Sequence, residues 1–223
     1  MTKKNLFSMC SINIPHNRVL TALVVMSILL LNGCGIGAVA ALVTNRGENK
    51  MPDYTISANN QALLQGYKDK GYKVKLRNFT SQSDNNTTIK CRLMTPVIPP
   101  KHNSYAQYIE DAFQKELTEA NLYHKNAHIT LLGTIHEIDG GTLYGNAYWS
   151  IDMTLLSSNG TSYRLKSTYE YESSISAVHA CSDMYKKFPI MLNKWIHDAL
   201  KDPKFEALLK TKKDSTHSYL IHK

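Results

Sequence analysis

The sequence predicts an α+β fold: an antiparallel sheet of about five strands in the order ββαβββα, two main helices packed on one face, and the other face wet. Two periodicities carry this reading. Five short segments within residues 72–171 alternate apolar and polar side chains, as half-buried strands do, and two longer segments repeat apolar residues every three or four positions, as amphipathic helices do. A third observation joins two of the strands, because Asn159-Gly160 between alternating runs is a hairpin signal.

Residues 72–79 place Val74 and Leu76 on one face and Lys73, Lys75 and Arg77 on the other. Residues 88–95 repeat the pattern beyond a polar loop at 81–86, with Ile89, Cys91 and Leu93 inward and Lys90 and Arg92 outward. If these two strands pair, their five cations share one basic face.

After the proline-rich 96–100, Ser104 with Gln107 three residues on resembles a capping box. Tyr105, Tyr108, Ile109, Ala112, Phe113, Leu117 and Ala120 follow at helical spacing. Residues 127–138 alternate again, with Ile129, Leu131 and Ile135 on one face, and Asp139-Gly140-Gly141 is expected to turn the chain.

The next two strands allow a register to be argued. Ala147, Trp149, Ile151, Met153 and Leu155 share one face, and so do Tyr163, Leu165, Ser167, Tyr169 and Tyr171. A two-residue Asn159-Gly160 turn would oppose the apolar faces. A three-residue Ser158-Asn159-Gly160 loop with Gly160 left-handed instead sets Leu155 against Tyr163, Met153 against Leu165, Trp149 against Tyr169, and Asp152 against Lys166 on the wet face. The three-residue loop is therefore expected.

From Ala177 the stripe Ala177, Cys181, Met184, Phe188, Met191, Trp195, Ala199 predicts the second long helix, with Pro189 kinking it or marking a fresh start. Asp202-Pro203 has the form of an N-cap followed by proline at the first helical position, opening a short helix through Leu209.

The N-terminal segment carries a different signal. No charged residue lies between Arg18 and Arg46, and VLTALVVMSILLL at 19–31 is an apolar core behind the basic Lys3, Lys4 and Arg18. The run ends at Leu31-Asn32-Gly33-Cys34, which resembles the lipobox of bacterial lipoproteins, with Asn32 the less usual residue. That resemblance implies cleavage before Cys34 and acylation of its thiol, and two or more acyl chains would hold the protein on a bilayer. The uncharged window continues through GIGAVAALVT and is also long enough for a retained spanning anchor. Asn32, Gly33, Gly35 and Gly37 weaken that helix without excluding it. Either way the body is expected outside the cytoplasm. A dinucleotide-binding reading of Gly35 to Ala40 fails for want of a following βαβ unit, since Arg46-Gly47-Glu48-Asn49-Lys50 is a linker.

The expected organisation is a signal peptide over 1–33, an acylated cysteine and flexible tether over 34–60, the α+β domain over 61–210 and a basic disordered tail over 211–223. With Cys10 and Cys34 assigned to the leader and the anchor, the body holds only Cys91 and Cys181. In an exported protein an even pair reads as one disulfide, the alternative being two buried thiols.

Several segments carry a further resemblance. Gln61-Ala62-Leu63-Leu64-Gln65-Gly66-Tyr67-Lys68, Cys91-Arg92, Tyr108-Ile109-Glu110-Asp111-Ala112-Phe113, Leu132-Gly133, Ser157-Ser158-Asn159-Gly160, Ala180-Cys181 and Pro203-Lys204-Phe205 together resemble a group of uncharacterised bacterial outer-envelope lipoproteins, over residues 61–209. The order helix, three strands, helix is more loosely similar to YajG-type lipoproteins and to the lipoprotein component of lipopolysaccharide assembly. What these resemblances imply is a lipid-anchored location in the bacterial cell envelope, at the outer membrane facing the periplasm. They imply no activity, because a shared architecture does not deliver a function.

No catalytic or metal-binding pattern emerges. His124 and His128 straddle a helix end and a strand start, and His128 and His136 are separated along one strand by roughly 26 Å. His136-Glu137 lacks the second histidine of a zinc-protease motif, since position 140 is glycine. Asp152, Glu170 and Glu172 on the wet face face Arg164 and Lys166, so cross-strand ion pairs are expected rather than acid and base work. Neither an enzyme nor a cofactor is expected. The net charge is +8, or +5 without the leader, a mild excess. The expected partners are the membrane, through the acyl chains, and an envelope protein. The alternative is an anionic lipid headgroup or envelope glycan held by Lys73, Lys75, Arg77, Lys90 and Arg92. Nucleic acid is not expected for an exported, anchored chain.

Overall fold

A computed structural model describes residues 51–92, 95–100, 104–143 and 146–211. In chain order the elements are α1 (Ala58–Asp69), β1 (Val74–Leu76), β2 (Thr80–Ser81), β3 (Ile89–Cys91), β4 (Thr95–Val97), α2 (Tyr105–Glu119), β5 (Ile129–Leu143), β6 (Asn146–Ser157), β7 (Ser162–Glu172), α3 (Ala177–Lys201) and α4 (Pro203–Leu209). The fold is α+β, with a mainly antiparallel five-stranded sheet and a separate small hairpin of β3 and β4.

The meander β5–β6–β7 follows from alternation and one turn. Leu155 lies opposite Tyr163, Met153 opposite Leu165, Asp152 opposite Lys166 and Trp149 opposite Tyr169, the register of the three-residue loop. Gly160 sits at φ 96°, a left-handed conformation that costs glycine nothing, and its N–H donates to the Ser157 carbonyl. Asn159 fastens the loop to the end of α4 by donating to the carbonyls of Ala207 and Lys210, both at 2.8 Å.

The first strands differ from expectation. β1 does not pair with β3. It runs parallel to β5, Val74 beside Ile129 and Leu76 beside Leu131, and β2 continues along the same edge with Thr80 beside Thr134. Parallel pairing requires a long crossover, which the hairpin and α2 supply between β2 and β5. The expected turn at Asp139-Gly140-Gly141 is also absent, because β5 runs on to Leu143. Gly140 serves packing instead: a Cβ there would lie 2.6 Å from Cε3 of Trp149. Only a residue without a side chain lets the indole cross the strand.

Helices α2 and α3 cover one face of the sheet with the stripes read from sequence. Ser104 caps α2 by accepting from the Gln107 N–H, and Asp202 caps α4 by accepting from the Lys204 N–H. Pro189 starts no new helix, since α3 is continuous from Ala177 to Lys201 and buries the proline. The core centres on aromatic pairs, Trp149–Phe188 at 4.9 Å and Tyr105–Phe188 at 5.0 Å, both edge to face. The Trp149 indole N–H donates to the Met184 carbonyl at 2.9 Å, which satisfies its buried polar atom.

The tether is shorter than expected. Met51 and Tyr54 are buried, and α1 begins before residue 61. A single buried carboxylate, Glu116 of α2, gathers this segment: its oxygens accept from the Tyr54 hydroxyl at 2.6 Å, the Ser57 N–H at 2.9 Å, and the side-chain amides of Asn60 at 3.2 Å and Gln61 at 2.5 Å. Burial, with Glu116 beside it, pushes the Tyr54 phenol well above its usual range. Helix α1 escaped the sequence reading for a physical reason. It buries only Asn60 and Leu64, so its periodicity is faint, and Gly66 interrupts its interior.

Candidate functional site

Three sets of residues were singled out by the sequence, and the fold treats each differently. Cys34, the expected lipidation site, lies outside the described residues, as do the leader and the tail from residue 212.

Cys91 at the end of β3 and Cys181 in the second turn of α3 form a disulfide across 90 residues of sequence, with both side chains buried. The bond stitches the small hairpin onto the helical layer beside Thr142 of β5. Arg92, next in sequence, adopts φ 45° and spends its guanidinium on the same junction. It donates to Thr142 Oγ1 at 3.1 Å, to the Ile175 carbonyl at 2.8 Å and to the Ser174 carbonyl at 2.6 Å. A planar fork with several donors suits such a role, which lysine could not reproduce.

The five cations expected on one face are therefore dispersed. Lys73, Lys75 and Arg77 belong to the β1 region at the start of β5, whereas Lys90 and Arg92 belong to the separate hairpin. Lys75 lies beside Thr130 and Arg92 is bonded to Thr142, twelve residues further along β5. At about 3.3 Å per residue, that is up to roughly 40 Å. The two strands do not pair, so no common basic face forms, and Arg92 is a structural residue.

The outer sheet face carries ion pairs. Arg164 grips Asp152 with two bonds, Nε to Oδ1 at 2.7 Å and Nη2 to Oδ2 at 2.6 Å, and Lys166 reaches Glu137 at 2.7 Å. The bond from Arg164 holds the Asp152 carboxyl below the usual carboxylate range against the opposing effect of burial. Asp152 is only 7% exposed, although no helix covers it, because the strand neighbours and Arg164 enclose it. At the far end of this face Tyr148 donates to Asp139 at 2.6 Å, a bond that pushes the phenol up to about 12. His136 is occupied on both ring nitrogens, by Gln82 at 2.9 Å and Thr154 at 2.8 Å. Among the described residues no group of three or more histidine, cysteine or acidic side chains is placed to hold a metal ion, and no helix is long and apolar enough to cross a membrane.

A further set of basic side chains lines a groove, and the sequence reading treated its histidines separately. A groove of about 660 Å³ opens where the chain enters β1 and β5, lined by Lys70, Tyr72, Lys73, His124, Asn126 and His128 among others. Among the described residues no carboxylate lines it. Lys70 pairs outside the groove with Glu206 at 2.7 Å, a bond that lowers the Glu206 carboxyl together with one from the Tyr72 hydroxyl. Lys73, His124 and His128 are exposed. The sequence signal for them was present but unusable: His124 and His128 stand near Lys73 only because β1 pairs with β5.

The fold and its junctions define a class, an α+β domain of mixed sheet and helical layer with a disulfide-stitched hairpin. No family model and no curated protein matches the sequence. Among solved structures, the chain is similar to a Xanthomonas campestris protein of family DUF330, with 8% identity, a TM-score of 0.43, and 65% of this chain against 88% of that one. It is also similar to rare lipoprotein B from Shewanella oneidensis, with 10% identity, a TM-score of 0.37, and 66% of this chain against all (100%) of that one. A minor lipoprotein from Acinetobacter baumannii shares 12% identity at a TM-score of 0.37, over 63% of this chain and 99% of that one.

Proposed function

We propose that this chain is a bacterial envelope lipoprotein, anchored through acylated Cys34, whose body has a non-enzymatic binding or assembly role in the periplasm. The observation that carries the reading is the buried Cys91–Cys181 disulfide, since disulfides persist in oxidising compartments and are rare in the cytosol. The lipobox-like Leu31-Asn32-Gly33-Cys34 behind an uncharged apolar run supports the anchor. The outer membrane facing the periplasm is the location this reading assigns. A binding role rather than catalysis accords with a wet face on which Asp152 and Glu137 are committed to ion pairs and Asp139 accepts from the Tyr148 hydroxyl.

The test is the intact mass of the protein extracted from its native membrane, with and without reductant. The expected result is loss of residues 1–33, a gain corresponding to acyl chains, and two further hydrogens on reduction. An unprocessed mass would refute the lipid anchor and leave a protein held by its leader. An unchanged mass on reduction would remove the argument for an oxidising compartment.

A further inference from the structure

We propose that the groove lined by Lys73, His124, Asn126 and His128 is a binding site for a phosphate-bearing anion. The proposal rests on the binding role above and names its site and ligand chemistry.

The argument is one of unspent donors. Cations near helix ends commonly serve the helix, complementing its terminal carbonyls. Lys70, the C-cap of α1, pairs with Glu206 at 2.7 Å, so its charge is used internally. Lys73, His124 and His128 lie beyond the helix ends, and no described acidic group forms an ion pair with any of them. The Asn126 backbone N–H donates to Nδ1 of His124 at 3.3 Å, which leaves the Nε2 N–H of that ring as a donor. The parallel pairing of β1 with β5 brings Lys73, just before β1, and the segment with both histidines, just before β5, to one wall, and the backbone there is firmly held. Val74 N–H donates to the Leu122 carbonyl at 3.0 Å and His124 N–H to the Val74 carbonyl at 2.9 Å.

Phosphate chemistry fits this set better than a carboxylate does. Several side chains with N–H donors line one concavity whose nearest bonded carboxylate, Glu206, is taken up by Lys70 and Tyr72, and a phosphate offers more acceptor oxygens and more negative charge than one carboxylate. A groove of about 660 Å³ is larger than a bare phosphate needs and has room for the group that carries it. A soluble phosphoester and a phospholipid headgroup share this chemistry.

The experiment uses the full chain in a neutral detergent and titrates it with inorganic pyrophosphate by calorimetry. A parallel arm measures co-sedimentation with vesicles of phosphatidylglycerol, with phosphatidylcholine vesicles as the blank. The variants are Lys73→Glu, the pair His124→Ala with His128→Ala, and Lys90→Glu, which changes the net charge as much as Lys73→Glu but lies on the hairpin. The expected result is saturable binding that Lys73→Glu weakens about tenfold or more and the histidine pair also weakens, while Lys90→Glu leaves it unchanged. Binding to pyrophosphate assigns a soluble phosphate source, and binding to phosphatidylglycerol vesicles alone assigns a headgroup. Silence in both arms overturns the site, as does equal loss with Lys73→Glu and Lys90→Glu. A processed, acylated protein that binds neither probe refutes the groove alone, and an unprocessed protein that binds refutes the anchor alone.

Discussion

The two ends of β5 are built from similar residues and use them in opposite ways. At one end Arg92 is bonded to Thr142 and to two carbonyls of the loop before α3, beside the Cys91–Cys181 disulfide. At the other, Lys73 stands beside the histidines of a groove and makes no ion pair among the described residues. The two cations look alike in the sequence, each following an apolar residue in an alternating run. The difference teaches that a charge becomes a candidate ligand only when the fold leaves it without an internal acceptor. Bonds to charged donors are strong enough that a spent guanidinium will not leave its carbonyls for a weak ligand.

The comparison can be broken first at the stitched end. Replacing Cys91→Ser and Cys181→Ser together should cost about 2–4 kcal/mol, below the roughly 4.5 kcal/mol upper bound of the chain-entropy account, measured by urea unfolding. A loss under about 1 kcal/mol would mean the hairpin is held without the bond. Gly140→Ala should cost about 1–3 kcal/mol, because its methyl meets the Trp149 ring, and a shift in the tryptophan emission would mark the displaced indole. Arg92→Lys keeps the charge and loses the fork, so about 1–2 kcal/mol of destabilisation is expected from chemical denaturation.

A smaller effect lies midway, at Asp152. Its carboxyl is held below the ordinary value, so its contribution is complete above the unfolded value of about 3.9 and is lost as pH falls through the lowered folded value. Urea midpoints followed downward from pH 6 should therefore fall less steeply in Asp152→Asn than in the parent. Parallel curves would show that the bond from Arg164 adds nothing to stability. The smallest effect belongs to the open end: Lys73→Ala should change stability by less than about 0.5 kcal/mol in the same assay. A larger loss would make Lys73 structural and erase the contrast with Arg92.

Legibility tracked the range of the interaction. The register of β6 and β7 was readable because alternation and a short Asn-Gly turn act within a few residues, and the stripes of α2 and α3 were readable because each presents a broad apolar face. Helix α1 was not, since a helix that buries two residues leaves almost no period. Gly140 was misread as a turn because glycine has two uses, and only the position of Trp149 shows that close approach is the one in force. The basic face failed for a related reason. It assumed that consecutive strands pair, whereas β1 and β2 pair with β5 across the whole of α2.

By itself, the sequence determined the α+β class, the two long helices and the β6–β7 register, for these follow from local periodicity and turn chemistry, and its cysteine count pointed to the Cys91–Cys181 bond that the fold makes. Tertiary structure alone decided the parallel docking of β1, the capture of residues 51–61 by Glu116, and which cations stay unspent. Those outcomes depend on contacts between segments far apart in the chain, where burial and the supply of acceptors are set by the whole fold rather than by any window of sequence.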